Sequence, residues 1–371
     1  MNTKSFFALL LLVLTSCRVV IEGETQPASQ PIHTAVSSPE KTFEVFWQTF
    51  EDQYAFFETR KTDWHKTYEQ YRQMVNSNTS PDSLFSILCA MVEPLQDDHV
   101  EIYFIEKNRY RNFTAAKPSR FLKEFPDEKS MKAFWHMVDQ TLDHNGFHNP
   151  VDFGPKEDGV SLFQYSASPS VGYIRFTRCY VTEKTENDRV LDPTQAGALF
   201  DVILQKIGKK EKIILDIRNN EGGLDEFSNA IASRFADTTR IGYYKQKRNG
   251  GYNDFTSLVP ILVRPQRNAF TKPVVILTND QSCSAADVFA LMMKALPNTT
   301  LIGENSTGIY SDMYVFMLPN GWYASLSNER YLSPDMKCYE GTGTPVDIEV
   351  RNTRNDLVTM RDPVLTKALQ F

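Results

Sequence analysis

Apolar residues recur at three- and four-residue spacing along the first part of the chain that shows a folding pattern, which predicts amphipathic helices. Ser38 followed by Pro39 is typical of a helix start, because serine caps free N–H groups and proline fits the first helical position. An aromatic stripe and two further apolar stripes follow. We therefore predict an N-terminal helical domain over residues 38–105, with His99 at the end of its third helix.

From Val171 onward, short apolar runs typical of buried strands alternate with helical patterns. Strands are predicted at residues 171–176, 213–217, 273–278 and 300–302, and helices at residues 195–207, 225–236 and 284–296. Two further strands flank Pro319-Asn320-Gly321, which is a hairpin signal. This alternation predicts an α/β domain, with α+β parts and a mostly parallel central sheet, over residues 171–371.

The stretch between these two domains carries the weakest pattern. Residues 106–170 are a connecting region of uncertain fold, in which helices are expected near residues 121–125 and 131–142. Residues 143–160 are rich in Gly, Pro, Asn and Asp, which predicts a loop.

The N-terminus has the pattern of an export signal. An apolar run over residues 6–14 is too short to span a bilayer, and two small residues and then Cys17 follow it. This order resembles a bacterial lipobox, so residues 1–17 are predicted to be a lipoprotein signal peptide, with Cys17 as the site of lipid attachment to a membrane of the cell envelope. The alternative is a plain secretory signal in which Cys17 is incidental. Residues 18–37 contain glycine, proline and small polar residues without an apolar period, and are predicted to form a flexible tether.

Composition excludes several classes of protein. The chain has 371 residues, of which 41% are hydrophobic and 23% charged, as in a globular protein. With 46 Asp+Glu against 40 Lys+Arg it is not expected to bind nucleic acid. It is not a polytopic membrane protein, because only the N-terminal apolar run could matter for a membrane. The remaining cysteines show neither a disulfide framework nor zinc-site spacing and are expected to be buried free thiols: Cys89, Cys179, Cys283 and Cys338.

Candidate chemistry lies where two predicted strands end. Ser284 would stand at the end of a buried strand and the start of a helix, where backbone N–H groups can hold an oxyanion. The simpler interpretation is that Ser282 or Ser284 only caps the helix. Gly222 and Gly223 also follow a buried strand and precede a helix, so one of their N–H groups could form an oxyanion hole with that of Ala285. Their alternative is a turn that needs glycine only for its backbone angles.

A base and an acidic partner are the other groups that this chemistry requires. Among six histidines, His99 differs because it directly precedes an alternating segment, although a lone histidine is more often structural. Glu340 lies in a glycine-rich loop, where a solvated carboxylate is the simpler interpretation.

Six segments in order resemble the tail-specific, or C-terminal processing, serine peptidase family, and in particular its tricorn-protease-like branch. They are LQDDHV with its histidine, VGYIRF, LDIRNNEGG, SCSAAD, LIGENSTG and YEGTGTPVDIEV. The resemblance covers residues 38–105 and 171–350. It implies a crotonase/Clp-protease-like ββα core preceded by the helical domain.

The resemblance also implies roles for single residues. Ser284 matches the nucleophile, His99 the general base and Glu340 the acidic residue that supports the charge network. Gly222 or Gly223, with Ala285, matches the backbone donors of the oxyanion hole. No metal and no cofactor are implied.

The chain departs from the family pattern in three ways. Ile309 stands where the Ser/Lys-dyad branch has its lysine, which argues against that mechanism. Asp98 stands where tricorn-like members have a serine before the histidine, so Asp98 is a possible orienting residue for His99. Residues 106–165 lack the pattern of a PDZ domain.

The sequence therefore predicts an exported, lipid-anchored serine peptidase that cuts unfolded proteins or short peptides through an acyl-enzyme on Ser284; its oligomeric state is left open. One alternative is a non-catalytic binder of apolar ligands, because vertebrate retinoid-binding proteins resemble the same core. Another is a crotonase-like acyl-CoA enzyme, against which the export signal argues, because CoA substrates are cytosolic.

Overall fold

The computed structural model describes residues 37–106, 109–183, 189–190 and 193–371. The predicted signal peptide with Cys17, and the predicted tether except for its last residue, lie outside these residues. No helix within the described ranges is long and apolar enough to cross a membrane.

Helices and the first strands alternate along the N-terminal half. The helices are α1 (Pro39–Gln53), α2 (Trp64–Arg72), α3 (Pro81–Val92), α4 (Arg120–Glu124), α5 (Glu128–His144) and α6 (Pro193–Ile207), with a 3₁₀ turn at Glu93–Leu95. The strands are β1 (Asp97–Glu106), β2 (Arg109–Ala115), β3 (Val151–Glu157), β4 (Val160–Ala167), β5 (Val171–Phe176), β6 (Thr182–Glu183) and β7 (Arg189–Val190).

The C-terminal half is richer in strands. They are β8 (Lys212–Asp216), β9 (Arg240–Lys247), β10 (Val259–Val263), β11 (Val274–Thr278), β12 (Thr299–Gly303), β13 (Met313–Met317), β14 (Tyr323–Ser327), β15 (Glu329–Leu332) and β16 (Ile348–Glu349). The helices are α7 (Asp225–Ala232), α8 (Ala285–Lys294), α9 (Asp356–Thr359) and α10 (Pro363–Gln370).

A seven-stranded sheet forms the centre of the molecule, in the order β16-β12-β11-β8-β5-β4-β3. The strands from β16 to β5 are parallel, whereas β4 and β3 are antiparallel. Ile213 and Leu215 pack with α6, α7 and α8 on one face, and Ile214 packs with α5 and α10 on the other. A strand covered on both faces has to be apolar throughout, which is why its sequence shows no alternation. The predicted α/β class with a mostly parallel sheet is confirmed.

A second sheet joins strands from the N-terminal and C-terminal halves of the chain. Its order is β13-β14-β1-β2, and β1 pairs antiparallel with β14. Phe43, Phe46 and Phe50 of α1 are fully buried and pack in one core with Ala324 and Leu326 of β14. The helical residues 39–95 therefore share their core with the C-terminal hairpin.

The prediction that His99 ends the third helix is wrong. Helix α3 ends at Val92, and Pro94 cannot continue a helical hydrogen-bond pattern because it has no N–H. Gln96 then takes a left-handed conformation, with φ 47°, and the chain turns into β1. His99 is the third residue of that strand.

The predicted loop at residues 143–160 is also wrong in part, because β3 occupies residues 151–157. This edge strand contains Gly154 and Pro155, two residues that weaken a strand signal, and its pairing with β4 is irregular between Phe153 and Lys156. Strands β3 and β4 extend the central sheet, so part of the connecting region contributes to the core.

The four cysteines that lie within the described residues are free thiols: Cys89, Cys179, Cys283 and Cys338. Cys89 and Cys179 are buried. Contrary to the prediction, Cys283 is only partly buried and Cys338 is exposed; Cys338 lies in the loop before Glu340 and in no helix or strand.

A buried ion-pair cluster attaches the C-terminal helix to the end of β8. The Arg218 guanidinium, with no exposed side-chain surface, lies 2.5 Å from Asp216 and 2.8 Å from Asp362. Asp362 also caps α10 by accepting the N–H of Val364. The Tyr173 hydroxyl donates to Asp216 at 2.8 Å.

Arg218→Met should lower the free energy of unfolding by about 3–5 kcal/mol, because it leaves two buried carboxylates without their cation. Urea unfolding followed by circular dichroism measures this. Arg240→Met is the matched control: Arg240 pairs with Asp237 at the surface, where both side chains are more than 30% exposed, and its loss should cost less than about 1 kcal/mol. Equal effects of the two substitutions would contradict this account of the cluster.

Candidate active site

Ser284 occupies a strained turn between the end of β11 and the start of α8. Its backbone angles are φ 57° and ψ −122°, in a region that residues with a side chain rarely adopt. Such a conformation costs on the order of 1–3 kcal/mol and persists only where the surroundings enforce it. A strand–turn–helix with a strained serine is the arrangement that presents a nucleophile at the edge of a sheet.

Asp287 enforces this conformation, and sequence reasoning missed it. Its carboxylate is fully buried, and Oδ2 accepts the N–H of Ser284 at 3.0 Å. Oδ1 accepts the N–H of Gly308 at 2.8 Å, and Oδ2 also accepts that of Ile309 at 3.1 Å. Burial raises the pKa of Asp287 to about 6, although these hydrogen bonds lower it. The available signal was an acidic residue three positions after a serine at a helix start, a variant of the capping box.

The glycine turn after β8 packs directly against this serine. A Cβ atom added to Gly222 would lie 2.7 Å from the Cβ of Ser284 and 2.8 Å from the N of Ala285. The N–H of Cys283 also donates to the carbonyl of Asn220 at 2.9 Å. The glycine at 222 is therefore required both by its φ of 90° and by the closeness of the nucleophile turn.

Gly222 and Gly223 differ in whether their backbone N–H group already has a hydrogen-bond partner. The N–H of Gly222 already donates to the Asn220 side chain at 2.9 Å. Within the described ranges, the N–H groups of Gly223 and Ala285 have no hydrogen-bond partner. Of the predicted oxyanion donors, these two are the ones available to a bound oxygen.

Ser282 has a structural role. Its hydroxyl donates to the carbonyl of Ile217 at 2.8 Å and accepts the N–H of Asn279 at 3.2 Å. These bonds join the two turns.

His99 lies in an irregularity of β1, where the pairing with β2 shifts between Asp97 and Glu101. Bulges of this kind redirect side chains and are frequent beside active sites. Asp97 accepts the backbone N–H of His99 at 3.0 Å, and the hydroxyl of Ser325 donates to the carbonyl of His99 at 2.8 Å. The Nδ1 atom of the ring is buried and has no hydrogen-bond partner among the described residues.

Glu340 is buried in a group of charges that sequence reasoning only partly anticipated. Its Oε1 lies 3.3 Å from the guanidinium of Arg60, and its Oε2 accepts the N–H of Tyr310 at 3.0 Å. Burial raises the pKa of Glu340 well above its usual value, and the charge of Asp97 adds to this, whereas Arg60 opposes it. Arg60 lies in no motif of the sequence, and Asp97 lies in LQDDHV, a segment in which only Asp98 and His99 were assigned roles.

Asp98 does not bind the Nδ1 atom of His99. Its Oδ1 instead accepts the backbone N–H of Lys117 at 2.7 Å. Burial raises the pKa of Asp98. Burial also raises the pKa of the Cys283 thiol, and the charges of Asp287 and Asp98 raise it further. In the described part of the chain, no group of three or more His, Cys, Asp or Glu side chains is placed to hold a metal ion.

Two protein-family models match the chain. The model of peptidase family S41 matches residues 170–350, which include the two turns and Glu340. The model of the tricorn protease C1 domain matches residues 37–93, the predicted helical region before His99.

Curated relatives are carboxyl-terminal processing proteases. The one from Picosynechococcus is 29% identical over 164 residues, which are 44% of this chain and 35% of the relative. Carboxy-terminal processing protease CtpA of Bacillus subtilis is 33% identical over 144 residues, 38% of this chain and 29% of the relative. The matches to these two span about a third of each relative's length.

Solved structures share the fold over nearly the whole chain. A candidate peptidase from Parabacteroides merdae has a TM-score of 0.70 and 26% identity, and the match covers 90% of this chain and 96% of that one. Mature CPAF has a TM-score of 0.60 and 12% identity, with 90% and 96% covered. The tricorn protease has a TM-score of 0.51 and 15% identity, with 90% of this chain and 36% of that one covered.

Asp287→Asn should lower the reactivity of Ser284 by about 5–150-fold, because an amide N–H₂ replaces an acceptor and leaves buried N–H groups unpaired. In the wild type, protonation of Asp287 as the pH falls through about 6 should weaken the same hydrogen bonds. The labelling rate of Ser284 should therefore decrease as the pH falls through about 6. Asp287→Asn should lack this part of the pH dependence, because asparagine does not titrate. The measurement is the labelling rate of Ser284 by a fluorophosphonate between pH 4.5 and 8.

Asp201→Asn is the control, because Asp201 pairs with Arg234 and its side chain is 49% exposed. It should label at the wild-type rate. An unchanged rate and pH profile in Asp287→Asn would show that its carboxylate does not hold the serine.

Proposed function

Because the chain belongs to peptidase family S41, we propose that it is a serine peptidase that hydrolyses peptide bonds through an acyl-enzyme on Ser284. The observation that carries this proposal is the strained backbone of Ser284, held by Asp287 and packed against Gly222. A serine that only capped a helix would not need φ 57°.

The mechanism follows from the groups around this serine. The Ser284 hydroxyl attacks the peptide carbonyl, and His99 takes its proton and returns it to the leaving amine. The N–H groups of Gly223 and Ala285 stabilise the tetrahedral oxyanion. The Nδ1 atom of His99 has no partner among the described residues, so Glu340 does not orient the ring through a hydrogen bond to Nδ1.

The proposed substrates are unfolded proteins or short peptides that reach the partly buried Ser284. Support comes from the relatives, which are named carboxyl-terminal processing proteases. These names describe cleavage near the carboxyl end of a protein chain. We further propose that the protein is exported and held at a membrane by a lipid on Cys17. The support is the lipobox-like order that ends at this cysteine.

Ser284→Ala and His99→Ala should each remove nearly all kcat/KM for a small peptide, and the double variant should lose little more, because nucleophile and base act as a unit. Glu340→Gln should be milder, because Glu340 does not carry the transferred proton. His136→Ala, at an exposed position of α5, is the control and should retain activity. Substantial activity in His99→Ala would mean that another residue is the base.

Cys17→Ser should move the protein from the membrane fraction to the soluble fraction of cells, because the variant has no thiol for the lipid. Fractionation followed by immunoblotting measures this, with Cys338→Ser as a control at an exposed cysteine. A variant as membrane-bound as the wild type would place the anchor elsewhere.

A further inference from the structure

Lys117 lies where three segments of the candidate site meet. Its Nζ atom donates to the carbonyl of Thr307 at 2.8 Å and to that of Gly341 at 2.9 Å. Its backbone N–H donates to the carboxylate of Asp98 at 2.7 Å. One residue thus binds a strand and two loops that are far apart in the sequence.

Two of these contacts are adjacent in sequence to a proposed catalytic residue, and the third is connected to the nucleophile turn by hydrogen bonds. Asp98 directly precedes His99, and Gly341 directly follows Glu340. Thr307 uses its N–H and its hydroxyl to donate to the carbonyl of Ser282, two positions before Ser284, at 3.0 and 3.1 Å.

The next residues attach the same segment to the nucleophile turn. The hydroxyl of Ser119 donates to Asp280 at 2.9 Å, and the N–H of Arg120 donates to the same carboxylate at 2.5 Å. Asp280 is almost completely buried and lies between β11 and Ser284. The segment that carries Lys117 is therefore itself fixed to the nucleophile turn through Ser119 and Arg120. If the loop of Thr307 or Gly341 moved, Lys117 would not move with it.

Charge makes this contact strong. A protonated amine donates to carbonyls about twice as strongly as a neutral group does. The charged groups that face Lys117 are Asp287 of α8, Asp280, Asp98 of β1 and Arg60. Burial lowers the pKa of Lys117; Arg60 lowers it further, and the three carboxylates oppose this.

We propose that Lys117 is a positioning residue whose ammonium group fixes the loops of Thr307 and Gly341 to the segment beside His99, and so sets Ser284, His99 and Glu340 relative to one another. Its catalytic consequence rests on the proposed peptidase function, whereas the contact itself does not.

The experiment compares the full chain as wild type, Lys117→Met and Lys117→Arg. Methionine keeps the length of the side chain without the charge, and arginine keeps a charge that does not titrate in the measured range. Lys212→Met is the matched control. The Nζ of Lys212 also donates to two carbonyls, and burial also lowers its pKa. These carbonyls belong to Ala368 and Leu369 of α10, and not to the loops of the candidate site.

Kinetics test the role of the charge. Lys117→Met should lower kcat/KM by about 10–150-fold, the effect of losing hydrogen bonds to a charged group. In the wild type, Lys117 should lose its proton below the ordinary lysine pKa of about 10.4, because burial lowers its pKa. The value of kcat/KM should therefore fall as the pH rises through this lowered pKa. Lys117→Arg should keep more activity than Lys117→Met and shift this alkaline loss to higher pH. Lys212→Met should lower the melting temperature and leave kcat/KM unchanged.

Hydrogen exchange tests the contact without any activity. Lys117→Met should speed amide exchange in peptides that cover residues 304–310 and 338–344, whereas Lys212→Met should do so only in α10. Wild-type exchange in Lys117→Met would overturn the proposal, even if the wild type cleaved no peptide. Normal kcat/KM in Lys117→Met, or equal losses in the Met and Arg variants, would overturn the role of the charge in catalysis.

Discussion

The candidate site depends on the three backbone hydrogen bonds that the buried carboxylate of Asp287 accepts. They come from Ser284 and from the loop at Gly308 and Ile309, so one side chain fixes both the nucleophile turn and its neighbour. Without such a constraint, a serine would relax from its left-handed conformation, because that conformation is strained. The first turn of α8 is thus positioned from outside the helix as well as from within it.

The other parts of the site are placed by the two sheets. The central parallel sheet brings the ends of β8 and β11 side by side, so that Gly222 packs against Ser284. The second sheet places His99 by pairing β1 with a hairpin more than two hundred residues later in the chain. Glu340 is held by the N–H of Tyr310 and by Arg60, which neutralises part of the buried negative charge there. Buried carboxylates of this kind need a cation nearby, because desolvation is costly.

Much of the central sheet could be predicted because its strands are short apolar runs between clear helices. The strand at residues 171–176 was predicted at its observed bounds. Strand β3 could not be recognised, because an edge strand with Gly154 and Pro155 resembles a loop. His99 was assigned to a helix because the left-handed turn at Gln96 has no sequence signal when the residue is not glycine. Strand β15 was missed because its partner, β9, is distant in the sequence. Strands β9 and β10 are consecutive and pair with each other, but the loop at residues 248–258 that joins them is longer than a tight hairpin turn.

The candidate site could be predicted in its residue types but not in its contacts. Motif order pointed to Ser284, His99, Glu340 and the glycine turn. Asp287, Arg60 and Lys117 were missed because their roles come from hydrogen bonds to residues that only the fold brings near. Which glycine has a free N–H also depends on the Asn220 side chain, whose direction no sequence pattern indicates.

The most direct test of the account is to locate the activated serine. The wild-type chain is treated with a fluorophosphonate, digested and mapped by mass spectrometry, with an unfolded sample as control. The account predicts one adduct, on Ser284, which is absent from the unfolded sample because the strained turn and its N–H groups are lost. No adduct in the folded chain, or an adduct on another residue such as Ser282, would contradict it.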